Sequence, residues 1–229
     1  MSTGFSRERP VLVIDETAPA ARTPTAEPAA ESVPVPTDRA GQLAAVASEV
    51  AQCVKCGLCN GRTTTVPGEG PLDPPVMFIG EGPGEAEDKS GRPFVGAAGQ
   101  YLDKWIPAIG LRRQDCFIAN IVKCRPPSNR EPHPEEISAC LPYLERQILA
   151  TRPKTICCLG RIAAHVLLQT TASLGALRGK THRWRDVPLV VTYHPSAVLR
   201  DNLLRKPVWE DLKLLKTLLP GQATEAAGR

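Results

Sequence analysis

A chain of 229 residues, 42% hydrophobic and with a formal charge of +4, is long enough for one well-cored domain plus a tail. It carries no apolar run near the length of a membrane span and no charged-then-apolar start like that of a secretory leader, which argues against membrane insertion or export and predicts a cytoplasmic protein. The mild basicity suits a polyanionic partner without requiring one, and in a reducing compartment eight cysteines read as metal ligands in part rather than as a disulfide framework.

Residues 1–37 are dominated by Ala, Pro, Thr and Glu. Such a composition buries too little apolar surface to offset chain entropy, so a disordered tail is predicted, with a short apolar piece from Val11 to Ile14. The domain is expected over 38–220. Asp38 is a candidate N-cap for a helix whose apolar face runs Leu43, Val46, Ala47, Val50 and which delivers the chain to Cys53. The apolar run Val76 to Ile79 reads as a buried strand. It is followed by the Gly/Pro-rich stretch Gly80 to Gly99, which holds four carboxylates within eight residues: Glu81, Glu85, Glu87 and Asp88. A helical pattern at Leu102, Trp105, Ile106 and Ile109 comes next. Three more strands are predicted at Phe117 to Val122, Thr155 to Leu159 and Leu189 to Thr192. Helical faces follow them at Ile137, Leu141, Leu144 and Ile148, at Ile162 and Val166, and at Val208, Leu212, Leu215 and Leu219. Pro134 and Pro207 suit the first turns of their helices. Strands alternating with helices predict a three-layer α/β/α sandwich around a central parallel sheet of about four strands, with a frayed end over 221–229. In such folds ligands bind at loops leaving the strand ends, which singles out the Gly80 to Gly99 stretch.

Cys53 and Cys56 have the two-residue spacing that lets two thiolates reach one metal site. Cys124 and Cys140 form a second pair with fifteen residues between them, one at a strand end and one a turn inside a helix. Four thiolates of this kind fit either a [4Fe-4S] cluster or a tetrahedral zinc. Cys59 is also well spaced from Cys56 and stays open as a ligand. Cys116, Cys157 and Cys158 read as small core residues.

The stretches GEGPGEAEDKSGRPFVGAAGQYLD, NIVKCRPPSNREP, the Pro142 to Leu144 tripeptide, PKTICCLG, TYHPSAVLR and KPVWEDLK, in that order, resemble the iron–sulfur uracil-DNA glycosylases of family 4. The match runs from about Cys53 to Lys216 and leaves the N-terminal tail outside. It implies a [4Fe-4S] cluster of structural role on Cys53, Cys56, Cys124 and Cys140, with no thiol required at position 59. It further implies a monofunctional, monomeric repair enzyme that hydrolyses uracil from single- or double-stranded DNA. The alternative is a non-catalytic or uracil-trapping relative. The trapping subgroup carries a basic insertion with a histidine before its last cluster cysteine, and the segment Arg125 to Ala139 has no such insertion. Its His133 reads as a helix-capping residue.

The chemistry asks for a carboxylate near a sugar that becomes oxocarbenium-like. The resemblance puts Glu81 there, while the better-known single-domain uracil glycosylases carry their activating Asp one residue later, where this chain has Gly82. Glu87 is expected to shape the wall that rejects the methyl group of thymine, with a catalytic contribution. Gly80, Gly82 and Gly84 are expected to let backbone and substrate approach closely. By resemblance Phe94 stacks on the base, Asn120 pairs with the O4 and N3–H edge of uracil, and His194 donates to O2 as charge builds on the leaving base. The following Ser196, Val198, Leu199 and Arg200 are expected to enter DNA. Ser196 and Arg200 would meet phosphates, and Val198 or Leu199 would fill the gap left by the flipped base. Arg178, Lys180, Arg183, Arg185, Arg205 and Lys206 add positive charge nearby.

Overall fold

The computed structural model describes residues 38–219. The expected tails at 1–37 and 221–229, including the apolar piece at 11–14, lie outside the described residues.

The first helix, α1 (Arg39–Ala51), starts at Asp38, whose side chain accepts the Gly41 N–H at 2.6 Å. A 3₁₀ turn at Gly57–Asn60 and a long loop lead to β1 (Val76–Gly80), which is buried throughout. The Gly-rich stretch then forms α2 (Glu85–Ser90) and opens α3 (Ala97–Ala108). There follow β2 (Phe117–Asn120), α4 (Pro134–Thr151), β3 (Thr155–Leu159), α5 (Arg161–Leu168) and the short α6 (Leu174–Leu177). A hairpin of β4 (Thr181–Trp184) and β5 (Val187–Thr192) precedes α7 (Pro195–Arg200) and α8 (Arg205–Thr217). Among the described residues no helix is long and apolar enough to cross a membrane.

The sheet order is β2-β1-β3-β5-β4. The first four strands run parallel, as expected, and β4 adds an antiparallel edge on β5. That edge strand is the fifth strand, absent from the sequence expectation. Its residues Thr-His-Arg-Trp are mostly exposed and polar, and its turn passes through Arg185 at φ 50°, with none of the Asn-Gly chemistry that marks a hairpin.

Side chains alternate across the sheet. Val76, Phe78, Ile118, Cys157 and Val190 meet α3 and α8 on one face, while Met77, Ile79, Phe117, Cys158 and Val191 meet α1, α4 and α5 on the other. Burial of both faces explains why the parallel strands read as unbroken apolar runs. The buried face of α5 is Ala163, Ala164 and Leu167, shifted from the expected Ile162 and Val166.

One cysteine placement differs from expectation. The ladder ends at Asn120, where strand alternation is lost: the consecutive amides of Ile121 and Val122 both donate to the β1 side, at Gly80 O and Glu81 O. Cys124 therefore lies in the loop beyond β2, while Cys140 is one turn inside α4, as expected. His133 is the N-cap of α4, where its backbone N–H donates to Glu136 Oε2 at 2.7 Å.

Candidate active site

The C-terminal ends of the parallel strands converge on a cleft of about 500 Å³. Glu81 and Gly82 leave β1, Asn120 ends β2, and His194 follows β5. Phe94, Glu87, Ser196 and Arg200 complete the walls together with Pro126, Asn129 and Arg130. The last three belong to a stretch for which sequence reading gave no site role. Arg130 clamps that wall to α4 through a bidentate pair with Glu136 at 2.7 and 2.8 Å.

Gly80, at the end of β1, packs against the cleft residues Asn120 and Phe94. A Cβ there would lie 2.5 Å from both Asn120 Oδ1 and Phe94 Cζ, so the site requires its missing side chain. Asn120 is buried, and its Oδ1 has no hydrogen-bond partner. A buried, unmatched amide oxygen carries a desolvation cost of roughly 1–3 kcal/mol, which a ligand donor can recover.

Phe94 adopts φ 53°, a left-handed conformation unusual for a bulky residue. Two charged groups hold it. Arg113 Nη1 and Nη2 donate to the carbonyls of Phe94 and Pro93 at 3.1 and 2.6 Å. On the other side Glu87 accepts from the amides of Val95 and Gly96, both at 2.8 Å, and from Gly84 at 3.1 Å. Gly99 allows the close packing beneath, since a Cβ there would sit 1.9 Å from Phe94 O. Both oxygens of Glu87 thus accept backbone amides of the loop that carries Phe94, and Glu87 also lines the cleft. The other acidic residues divide similarly. Asp88 is buried against the Thr63 amide, and Glu85 pairs with Lys89 at the surface.

Glu81 alone of the four is left facing the cleft with no hydrogen-bond donor to its carboxylate among the described residues. Burial pushes its pKa up to about 7, Glu131 adds to the rise, and Arg161 opposes it. Arg161 and Glu131 are themselves ion-paired.

His194 caps α7 with its side chain. Its Nδ1 accepts the Ser196 N–H at 3.2 Å and lies 2.8 Å from Ser196 Oγ. Because Nδ1 is an acceptor, the proton of the neutral ring is on Nε2. Burial depresses the imidazole to about 4, and Arg200 lowers it further. The ring lies 5.6 Å from that of Phe94.

Behind His194, Asp211 on α8 accepts from Thr192 Oγ1, from Arg178 Nε, both at 2.7 Å, and from the Gly179 amide at 3.3 Å. Arg178 also lies over the Tyr193 ring at 4.4 Å. It is thus engaged in anchoring the segment that carries His194. Asp211 gave no sign in sequence beyond its place in the last motif.

At the mouth, Val198 is 1% exposed and packed in the core, which corrects its expected role against DNA. Leu199 is 47% exposed, and on the next turn Leu203 is 82% exposed. Arg200 is exposed beside them and reaches the cleft.

A second, apolar pocket is ringed by Cys53, Cys56, Cys59, Cys124 and Cys140, with Val50, Leu58 and Tyr143 as its walls. Arg62 Nη1 lies 3.3 Å from Cys124 Sγ, and the Lys123 amide donates to Cys140 Sγ at 3.2 Å. Both contacts suit sulfur that carries negative charge. Burial raises the pKa of Cys56, Cys124 and, to about 11, Cys140, and the neighbouring thiols add to the rise. Such thiols ionise readily only beside a bound cation. Among the described residues no three His, Cys, Asp or Glu side chains stand in the tight arrangement that a single ion needs. Cys116, Cys157 and Cys158 are buried elsewhere in the core, as expected.

Comparison with known proteins adds to this geometry. A family model described as the uracil DNA glycosylase superfamily matches residues 67–213. The chain is 46% identical over 185 residues to a type-4 uracil-DNA glycosylase of Sulfurisphaera tokodaii, covering 77% of this chain and 84% of that one. It is 47% identical over 173 residues to a protein of the same description from Pyrobaculum aerophilum, covering 72% and 88%. With another from Thermotoga maritima it shares 44% identity over 178 residues, covering 76% and 93%.

Proposed function

The chain belongs to the uracil DNA glycosylase superfamily, and from that premise we propose how its own residues remove uracil from DNA. It is a DNA glycosylase of type-4 kind, a hydrolase that leaves an abasic site. The observation that carries the site assignment is the buried, unpartnered Oδ1 of Asn120 at the floor of the cleft.

A uracil turned out of the stack enters between Phe94 and His194. Asn120 Oδ1 accepts its N3–H and the Asn120 amide donates to O4; cytosine, with the opposite pattern at these atoms, leaves both groups unmatched. Phe94 stacks on the base, an interaction worth about 1–3 kcal/mol. As the bond between N1 and the sugar C1′ breaks, its electron pair moves into the ring. His194 Nε2–H donates to O2, where negative charge collects. Neutral His194 suits a donor that keeps its proton. Glu81 orients a water toward C1′ and takes its proton as the new C–O bond forms. Gly82 keeps the wall open beside it. Glu87 works at one remove, by holding Phe94. Ser196 and Arg200 meet phosphates at the rim, and Leu199 is the side chain placed to fill the vacated stack.

The cysteine ring fits an iron–sulfur cluster held by Cys53, Cys56, Cys124 and Cys140. The thiols come from separate segments and are spread around a pocket without converging on one point, as suits a cluster with one thiolate per iron better than a mononuclear zinc. The cluster would supply cross-linking between the end of α1, the loop after β2 and α4. Cys59 lies on the same ring and is not needed for that ligand set. The enzyme acts as a monomeric domain over 38–220, in the cytoplasm, on single- or double-stranded DNA. The fifteen residues between Cys124 and Cys140 leave no room for a trapping insertion.

The test is excision from a labelled oligonucleotide with one uracil, developed by alkaline cleavage of the abasic site. Cleavage at uracil and not at thymine is expected; none from iron-loaded protein would defeat the reading.

A further inference from the structure

Lys123 is one of the largest fully buried side chains of the protein, at 1% exposure, and touches no reacting atom. Burying an ammonium is costly, so its contacts call for a reason. Its Nζ donates to the Asn120 carbonyl at 2.9 Å and to Gln147 Oε1 at 2.6 Å. Gln147 is fixed in turn by donating from Nε2 to Pro67 O at 2.7 Å. The main chain of Lys123 is tied as well, its carbonyl accepting the Val66 N–H at 2.8 Å and its amide donating to Cys140 Sγ.

One of these contacts acts on the peptide unit that follows Asn120. The carbonyl of Asn120 is held by Lys123 Nζ, while the N–H of the same unit, on Ile121, donates to Gly80 O at 3.0 Å. A peptide plane pinned at both ends cannot rotate, and its orientation sets the backbone from which the Asn120 side chain leaves. The next amide, on Val122, donates to Glu81 O at 3.1 Å. Five consecutive residues, 120–124, thus run from the base-reading amide to the cysteine ring with every intervening N–H tied.

We propose that Lys123 is a positioning residue that fixes the direction of Asn120 and couples it to the cysteine site. This inference rests on the uracil reading above for its functional consequence, but not for the link itself. The lysine does not contact the base; it acts by holding Asn120.

The experiment compares iron-loaded wild type with Lys123→Met, which keeps chain length and removes the donors, and with Gln147→Leu, which releases Nζ while leaving the lysine in place. Hydrogen exchange is followed at the Ile121 amide in the resting protein, visible absorbance reports the cluster, and single-turnover assays report excision. Expected are faster exchange at Ile121 in both variants and a fall in excision of about 10–100-fold in Lys123→Met, smaller in Gln147→Leu. The excision effect should vanish in an Asn120→Ala background, because the lysine acts only through that residue. If Lys123→Met does not fold, Gln147→Leu carries the same exchange test. Unchanged Ile121 exchange in a folded variant, or a loss that adds in full to that of Asn120→Ala, would overturn the inference. Faster exchange in the variants of a protein that excises no uracil would uphold the link and defeat the uracil reading instead.

Discussion

The ring of Phe94 lies 5.6 Å from that of His194, tilted by 34°, and its far edge packs against Gly80. One ring is held by a strained backbone and the other by capping a helix, so the distance between them is set by the scaffold before any base enters.

Gly80→Ala tests that packing. Its methyl carbon would sit 2.5 Å from Asn120 Oδ1 and Phe94 Cζ. We expect excision to fall by about 10²-fold, as for other displacements of aligned groups by about 1 Å, together with a loss of stability of about 1–3 kcal/mol from overpacking at a buried strand end. Single-turnover rates beside a thermal melt check both.

Much of this site was legible in the sequence. Asn120 and His194 lie at the ends of apolar runs inside long motifs, and strand ends are where α/β folds place their chemistry. The amide contacts of Glu87 gave no sign in sequence because they depend on φ 53° at Phe94, a conformation no aromatic residue advertises. Val198 and Leu199 are adjacent and both apolar; only the turn of α7 decides which faces the core. Lys123, between a valine and a cysteine, gives no sign that its charge is buried, and Asp211 lies among charged surface residues of α8. A sequence shows that a charge exists, not the partner that folding brings to it.

Glu81 and His194 predict the pH dependence. Activity needs the Glu81 carboxylate, so kcat/KM should climb through a pH of about 7, with no inflection from His194 above about 4. Stability moves differently. Between the ordinary value of 4.5 and about 7 the folded protein keeps a proton on Glu81 that the unfolded chain has lost, so this group's contribution falls as pH rises through that window. His194 refuses a proton that the unfolded chain accepts between 6.5 and about 4, so its contribution falls as pH drops through that range. Glu81→Gln should therefore be more stabilising, relative to wild type, at pH 8 than at pH 5. Denaturant melts at the two pH values check this.

For the cysteine ring, Ala at Cys53, Cys56, Cys124 or Cys140 should each reduce bound iron and visible absorbance, whereas Cys59→Ala should keep both. Iron analysis of the five purified variants decides. Loss of iron in Cys59→Ala with retention in Cys53→Ala would reassign the ligands.

At the cleft mouth, Leu199→Ala should slow excision from duplex more than from single strands and leave the melting temperature unchanged. Val198→Ala should instead cost about 2 kcal/mol of stability, as a core truncation does. Paired excision assays and denaturation curves separate the two residues.

The most direct test of the central claim is single-turnover excision of uracil by wild type and by Asn120→Asp, both iron-loaded, on one oligonucleotide with thymine as control. An aspartate cannot donate to O4, and its charge opposes the charge gathering on the leaving base. Wild type should cleave rapidly at uracil alone, and Asn120→Asp should lose roughly 10²-fold or more. Equal rates for the two proteins would contradict that claim.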